Sequence, residues 1–452
     1  MVFSVQNNPR RAAYDILLRV DEGSFADLVL DAVLRRSTLD PRDRGLVTEL
    51  VYGILRLRGR IDFALEHFSK QPLKRLQPEV LRLLRLGAYQ LLELDRVPAH
   101  AAVNSTIELA RQLQLEKATG FLNGVLRALE RGKGEIPWPE PENLRRYLQQ
   151  VCSQPVWLSK EVMRLLPNAE ARALGEALAQ AAPTSLRVNT LKTNREDYLA
   201  ALAAAGFAAR PCRFAPEGIV IERRAAERLP GDDEGLYQIQ DEASMLIPHL
   251  LDVHPGQKVL DCCAAPGGKT THIAALTAGG ADILALDKYP QRLELLAQGA
   301  KRLGCANIET RCWDLTVQPE FLTECRFDRV LLDAPCSGLG VLRRNPEGRW
   351  NKSSVDLREL AVIQQTILEN VAGLVAPGGK LLYSVCTFSQ GETDAVIDDF
   401  LADHPEFVLE DLAAASAPEW APLFTARGTL RSYPHRHDGM DAFFAARLRR
   451  RE

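Results

Sequence analysis

The chain has 452 residues, of which 46% are hydrophobic and 25% charged, and its formal net charge is −3. Those values are ordinary for a soluble globular protein, and the length calls for two or three domains rather than one core. No apolar run reaches the ~18–20 residues of a membrane span, and the leading MVFSVQNNPRR lacks the apolar core of a secretory signal. A cytoplasmic protein without membrane attachment is therefore expected.

The first ~130 residues read as helices. Tyr14, Ile16, Leu17 and Val20 keep a period near 3.6 between Pro9 and Val20. Asp40-Pro41 supplies a cap and a proline at the first helical position. From there RGLVTELVYGILRLRGRIDFALEHF is one long amphipathic stretch, which Gly53 and Gly59 are expected to interrupt. Further helices are predicted over 78–94, 103–115 and 121–129. This all-α domain ends at residue 131. The string GKGEIPWPEP then breaks the pattern and marks a linker over 132–144.

A small α+β subdomain follows over 145–236, with a helical stretch over 158–178, a strand over 185–191, a helix over 198–205 and a strand over 218–222. From residue 237 to 452 the pattern is α/β. Strands are predicted at KVLDCCAAPGG, ADILALDKY, 307–311, FDRVLLDAPC and 379–386, with helices over 270–276, 291–303 and 355–375 between them. Strands alternating with helices of this length imply a mostly parallel, doubly wound sheet.

Charge is unevenly spread. Residues 1–150 hold 23 Lys and Arg against 19 Asp and Glu, and the remainder is net negative. A mildly basic front end fits a phosphate-facing surface. Nine cysteines occur without a CxxC pair or zinc-finger spacing, so neither a disulfide framework nor a metal is expected. Cys152, Cys212, Cys305, Cys312 and Cys325 are read as small core hydrophobes. His435 and His437 alternate near the end of the chain, but no third ligand lies at suitable spacing; a closing strand with Phe443 and Phe444 packed on the sheet is the better reading.

Three strings carry chemistry. DCCAAPGGKT (261–270) ends the first strand of the sheet in a glycine turn. It lacks the first glycine of a phosphate loop, where Cys263 stands, and it lacks GxGxxG. Its two readings are a plain strand-to-helix turn at Gly267-Gly268 and a turn whose amides approach a small cofactor, with Lys269 near the reacting ring. Asp287 and Asp314 follow the second and third strands, where acids accept bonds from ribose hydroxyls and an exocyclic amine, or merely cap helices. DAPCSG (333–338) and YSVCT (383–387) each put a thiol at a strand end. Two thiols at one sheet edge can act as a nucleophile and a proton acceptor, and Asp333 can hold the N3–N4 edge of a cytosine.

These strings, with QDEASMLIPHLL before them, RRNP after DAPCSGLG, and HDGMDAFF near the end, resemble in order the motifs of the S-adenosylmethionine-dependent RNA cytosine-C5 methyltransferases of the NOL1/NOP2/Sun family. The resemblance covers residues 145–450. In the front domain DPRDRGLVTELVYGILR, LRLGAYQLLEL, VPAHAAVNSTIELAR and FLNGVLRAL resemble the NusB-type RNA-binding helical domain. Two positions depart from the family pattern: Val385 stands before Cys386, and Ala442 follows Asp441.

The resemblance implies formation of 5-methylcytosine in 16S ribosomal RNA. Cys386 is then the nucleophile at C6, Cys336 assists its release, Asp333 holds the base and Lys269 positions it. Cys263, Ala264, Ala265, Pro266, Gly267, Gly268 and Lys269 line the methionine end of S-adenosylmethionine, Asp287 takes the ribose and Asp314 the adenine amine, with Asp333 at the edge of the same site. Arg343, Arg344 and the front domain are expected against phosphates. A tRNA cytosine methyltransferase and an RNA-binding assembly factor with a vestigial sheet are the alternatives. Nothing in the pattern points to a symmetric interface, so a monomer is expected.

Overall fold

The computed structural model describes residues 8–224 and 228–452; residues 1–7, at the front of the expected helical domain, and 225–227, in the expected middle subdomain, lie outside it. The chain packs as two compact units, Met1–Ala181 with Leu342–Lys352, and Ala182–Val341 with Ser353–Glu452.

In the first unit, helices Pro9–Asp21, Pro41–Phe68, Pro78–Glu93, Ala99–Gln112 and Thr119–Gly132 stand where the periodicity predicts them, and Ala26–Arg36 is an additional one. Their starts are chemical. The Asn8 side chain accepts from the amides of Arg10 and Arg11, and Asp40 accepts from Asp43 N, each just ahead of a proline. The long helix spans 28 residues and is kinked at Leu57 (φ −106°, ψ 17°), so the expected interruption falls between Gly53 and Gly59 and not at either glycine. Gly53 is there for space: a Cβ at this position would overlap the ring of Tyr89. Val47, Leu50, Val51, Ile61, Leu83, Leu84, Leu109 and Leu126 close the core.

The expected linker is also packed. Lys133–Glu135 forms a 3-10 turn, Ile136 is buried in the same core, and Trp138 lies against Phe63 with ring centroids 5.5 Å apart. Pro167 divides the predicted 158–178 helix into Val156–Leu165 and Asn168–Leu178. The later segment Leu342–Lys352 folds into this unit, and Arg349 is its fixed point. Its buried guanidinium donates to the carbonyls of Arg56 (3.0 Å), Leu178 (3.0 Å), Leu342 (3.1 Å) and Ser153 (3.5 Å). Burial lowers its pKa to about 9. Trp350 Nε1 donates to Leu55 O at 2.6 Å. Arg343 is buried as well, so the expected phosphate contact is not available to it as a surface residue.

The second unit holds two sheets. A four-stranded antiparallel sheet contains β1 (Thr184–Val188), β2 (Ala208–Pro211), β3 (Gly218–Arg223) and β4 (Tyr237–Ile239) in the order β2-β3-β1-β4. The larger sheet contains β5 (Lys258–Asp261), β6 (Asp282–Asp287), β7 (Ile308–Cys312), β8 (Phe327–Asp333), β9 (Val375–Val385), β10 (Phe407–Leu409), β11 (Leu430–Arg431) and β12 (Phe444–Arg450). Its order is β10-β12-β9-β8-β5-β6-β7, with β11 on β12. Strands β5 to β9 pair in parallel; β10, β11 and β12 are antiparallel additions.

Val330, Leu331 and Leu332 of β8 have no exposure. That continuous apolar run is what a parallel strand covered on both faces requires. The chain leaves β5 toward β6 and β7 on one side, and β8 and β9 lie on the other. The carboxyl ends of β5 and β8 therefore flank the switch point at which open α/β sheets bind ligands.

Candidate active site

Register brings the two cysteine strings together. Asp333 of β8 pairs with Ser384 of β9, so the chain leaves both strands at the same level. Cys336 follows three residues later and Cys386 two. Their sulfurs stand 3.3 Å apart, and both residues are half-buried. The loops are pinned by backbone: Gly340 N donates to Cys386 O at 2.9 Å, and Gly340 O accepts from Ala442 N at 3.2 Å. Only a glycine fits there, because a Cβ would overlap Ala442 O and come within 2.9 Å of Cys386 O.

Lys269 reaches the same place from the helix Gly268–Leu276. Its Nζ stands 2.6 Å from Asp333 Oδ2 and 5.2 Å from the centroid of the Phe443 ring. Ser384 Oγ donates to the other carboxylate oxygen at 2.8 Å. Burial works against the charge on Lys269, but Asp333 outweighs it and holds the amine above its ordinary pKa; Cys386 acts in the same direction. The hydrogen bond to Cys386, followed by burial, pushes the Cys336 thiol well above its ordinary range. Either sulfur can be the donor in their 3.3 Å contact, and both the neighbouring sulfur and burial oppose loss of the Cys336 proton.

The turn after β5 is built on Gly267, whose φ of 102° a side chain would resist. Ala265 N donates to Asp287 Oδ2 at 3.1 Å and Tyr289 N to Asp287 Oδ1 at 3.0 Å. Arg292 joins Asp287 at 3.4 Å and donates to Ala265 O. Asp314 lies further out, 2.7 Å from Lys288 Nζ, and that contact holds its carboxyl below the usual range. Cys263 is a half-buried thiol that burial keeps protonated. Turn, Asp287, Asp314 and Asp333 thus sit at the carboxyl ends of β5, β6, β7 and β8.

Several residues of this region were not singled out from the sequence. Asp261 ends β5 almost fully buried; Thr270 Oγ1 donates to its Oδ2 at 2.7 Å, its Oδ1 has no partner, and burial raises its pKa to about 7. An orphaned carboxylate oxygen beside a glycine turn is what a ligand-binding turn leaves in the absence of its ligand. Arg187 of β1 supports the turn from behind, donating to Gly268 O and to Thr271 Oγ1 (2.9 Å). Glu392 lies fully buried under both cysteine loops. An acid at the end of a first strand was a readable signal for Asp261; an arginine in a short strand and a glutamate in SQGET were not.

The remaining cysteines divide. Cys152, Cys212 and Cys305 are buried as expected, but Cys312 and Cys325 are exposed: Cys312 ends the edge strand β7, and Cys325 lies in the loop before β8. His437 is held by hydrogen bonds: its Nδ1 accepts from Tyr433 N at 2.9 Å and its Nε2 faces Pro422 O at 3.2 Å. Among the described residues, one group has metal-like spacing, Glu217, His249 and His272, far in sequence from that pair. Glu217 stands between two imidazoles, in hydrogen-bond contact with His249 Nε2 at 3.1 Å and 2.8 Å from His272 Nε2. No helix among the described residues is long and apolar enough to cross a membrane.

With this geometry in place, likeness to known proteins is informative. A family model described as 16S rRNA methyltransferase RsmB/F matches residues 248–449, a NusB-family model matches 7–131, and the model of the RsmF/B-like ferredoxin-like domain matches 154–226. The chain is 36% identical over 449 residues to the probable ribosomal RNA small subunit methyltransferase B of Synechocystis, covering 98% of this chain and 99% of that one. It is 34% identical over 443 residues to the protein of the same description from Bacillus subtilis, covering 98% of each. The crystal structure of PH0851 superposes with a TM-score of 0.81 at 28% identity, over 99% of this chain and 100% of that one. Identity at this level across nearly the full length of both partners leaves one assignment: the chain belongs to the ribosomal RNA small-subunit methyltransferase B family.

Proposed function

We propose that this protein methylates C5 of one cytosine in 16S ribosomal RNA, with Cys386 as covalent nucleophile and Cys336 as the group that completes release. The observation that carries this reading is the pair of sulfurs 3.3 Å apart beside the Lys269–Asp333 ion pair. Cytosine C5 reacts poorly with a methyl sulfonium. Addition of the Cys386 thiolate to C6 forms a carbon–sulfur bond and moves the ring electron pair toward C5 and N3. Asp333, at the N3–N4 edge, accepts from the exocyclic amine and stabilises protonation of N3. Lys269 fixes the orientation of that carboxylate through its 2.6 Å contact.

The cofactor residues fit S-adenosylmethionine. The turn Cys263–Lys269 lines its methionine end, Asp287 its ribose and Asp314 its adenine amine, and the free oxygen of Asp261 supplies an acceptor on the same side. When bound, S-adenosylmethionine supplies the methyl group that C5 takes. The ring must then lose its C5 proton and break the C6–S bond, with the sulfur leaving as thiolate. Adduct formation itself prepares this step. Once Cys386 is a thioether, its hydrogen bond no longer opposes ionisation of Cys336; Cys336 passes its proton to solvent water, and the resulting thiolate takes the C5 proton, directly or through a water, as the Cys386 sulfur leaves C6.

A base that must meet sulfur at C6 has to leave its stack, so the substrate cytosine is taken from single-stranded or opened RNA. We assign RNA binding to the helical domain 1–131 and to the subdomain 145–236, joined by 132–144, and catalysis to 237–452. The reading is of a cytoplasmic monomer, free of metal, acting on ribosomal RNA. Bisulfite mapping of 16S RNA from cells with and without the protein tests it. One cytosine should lose protection in the deletion strain and regain it on complementation; an unchanged 16S pattern with a lost site in tRNA would favour the other substrate.

A further inference from the structure

Beneath the two cysteines lies a buried carboxylate that the reaction does not consume. Glu392, with no exposure, closes a 3-10 turn six residues after Cys386. Its Oε1 accepts from Ser337 N at 2.7 Å and its Oε2 from Ser337 Oγ at 2.5 Å. Thr387 Oγ1 lies 3.4 Å from Oε2 and 2.9 Å from Ser337 Oγ. Ser337 follows Cys336 and Thr387 follows Cys386, so one carboxylate grips the residue next to each sulfur. Glu392 is itself held. Gln364 Nε2, from the helix Ser354–Ala372, donates to its Oε1 at 3.0 Å and to Pro335 O at 2.9 Å. Tyr383 OH donates to its backbone carbonyl at 2.8 Å.

We propose that Glu392 is a positioning residue that sets the spacing of the two sulfurs by clasping Ser337 and Thr387. The proposal rests on the two-thiol reading above. The loops leave different strands fifty residues apart, and charge-assisted hydrogen bonds to one carboxylate are short and directional. A sulfur displaced by about 1 Å costs on the order of 100-fold in rate. The charged and titratable groups facing Cys336 are Cys386 and Glu392, with Tyr383 kept neutral by burial, and Cys386 and Glu392 both oppose loss of the Cys336 proton.

The test uses the full-length protein, a 16S transcript and labelled S-adenosylmethionine. In Glu392→Gln, kcat should fall about 10- to 100-fold while KM for both substrates stays within about two-fold of wild type. The pH midpoint for alkylation of Cys336, followed by peptide mass spectrometry, should move down. A second variant, Ser337→Ala with Thr387→Val, keeps the carboxylate and releases its grip; kcat should fall with a smaller shift of that midpoint. Cys386→Ala is assayed beside them. If it keeps wild-type turnover, the two-thiol reading itself fails. If Cys386→Ala is inactive and Glu392→Gln turns over at the wild-type rate, the clasp alone is overturned. A loss of kcat matched by loss of melting temperature, with the Cys336 midpoint unmoved, overturns it too, since that is how a merely structural carboxylate behaves.

Discussion

Gly340→Ala gives a sharp test of how tightly the site is built. The new Cβ would overlap the carbonyl oxygen of Ala442 and lie 2.9 Å from that of Cys386. Neither oxygen belongs to a flexible side chain. Ala442 enters β12, which pairs with β9 through Phe444 and Val385, and the Cys386 carbonyl already accepts from Gly340 N. Relief therefore requires a backbone shift of about 1 Å, which falls on the loop that carries Cys386. A displacement of that size at a reacting atom costs on the order of 100-fold in rate, and lost pairing around it about 1–3 kcal/mol of stability. The cofactor turn and Asp287 lie on β5 and β6 and do not share this contact. The expected result is kcat lowered about 100-fold with the affinity for S-adenosylmethionine unchanged. Steady-state methyl transfer and calorimetric cofactor titration measure the two quantities. Wild-type kcat in Gly340→Ala, in a folded protein, would refute the claim that this close approach fixes the nucleophile.

The other expectations concern single groups. Cys336→Ala should accumulate an RNA–protein adduct that survives a denaturing gel, and Cys386→Ala should form none; free turnover without adduct in Cys336→Ala would remove Cys336 from the release step. Lys269→Met should lower kcat more than it raises KM for RNA, because Asp333 keeps its place on Ser384 but loses its fixed partner; an equal effect on both constants would count against a role in orientation. Asp261 has a folded-state pKa raised to about 7 against about 3.9 unfolded, so the free protein loses stability as pH rises from about 4 toward 7, on the order of a few kcal/mol. Asp261→Asn should flatten that dependence in thermal unfolding and weaken binding of S-adenosylmethionine; unchanged curves for both would show that its free oxygen is idle. Arg349→Ala leaves the carbonyls of Arg56 and Leu178 without their donor and should destabilise the first unit by about 2–4 kcal/mol, read as an earlier transition in urea.

Much of the candidate site was readable because strand ends announce themselves. An apolar run that stops at an acid or a thiol, as at Asp287, Asp333 and Cys386, locates the edge of a parallel sheet. Spacing cannot say which ends meet. That depends on strand order, and the pairing of Asp333 with Ser384 is a fact of register. Short strands such as Ala208–Pro211, Phe407–Leu409 and Leu430–Arg431 were invisible because two to four residues show no period. Gly53 reads as a break in sequence and is a socket for Tyr89 in the fold, since helix propensity is a weak term beside close packing. Glu392 and Arg349 are charged residues in polar stretches, where surface is the natural reading. Their burial follows from partners about fifty to three hundred residues away, and no local pattern encodes that.

The return of Leu342–Lys352 to the first unit has a consequence for biosynthesis. The carbonyl of Leu178 is made some 170 positions before the arginine that binds it. At a translation rate of roughly 5–20 residues per second, the gap lasts about 10–30 s. The front helices can collapse as they emerge, yet they wait without their last tenant until most of the chain is made. A ribosome stalled before codon 349 should therefore hold a front unit that proteases cut more readily than they cut the finished one.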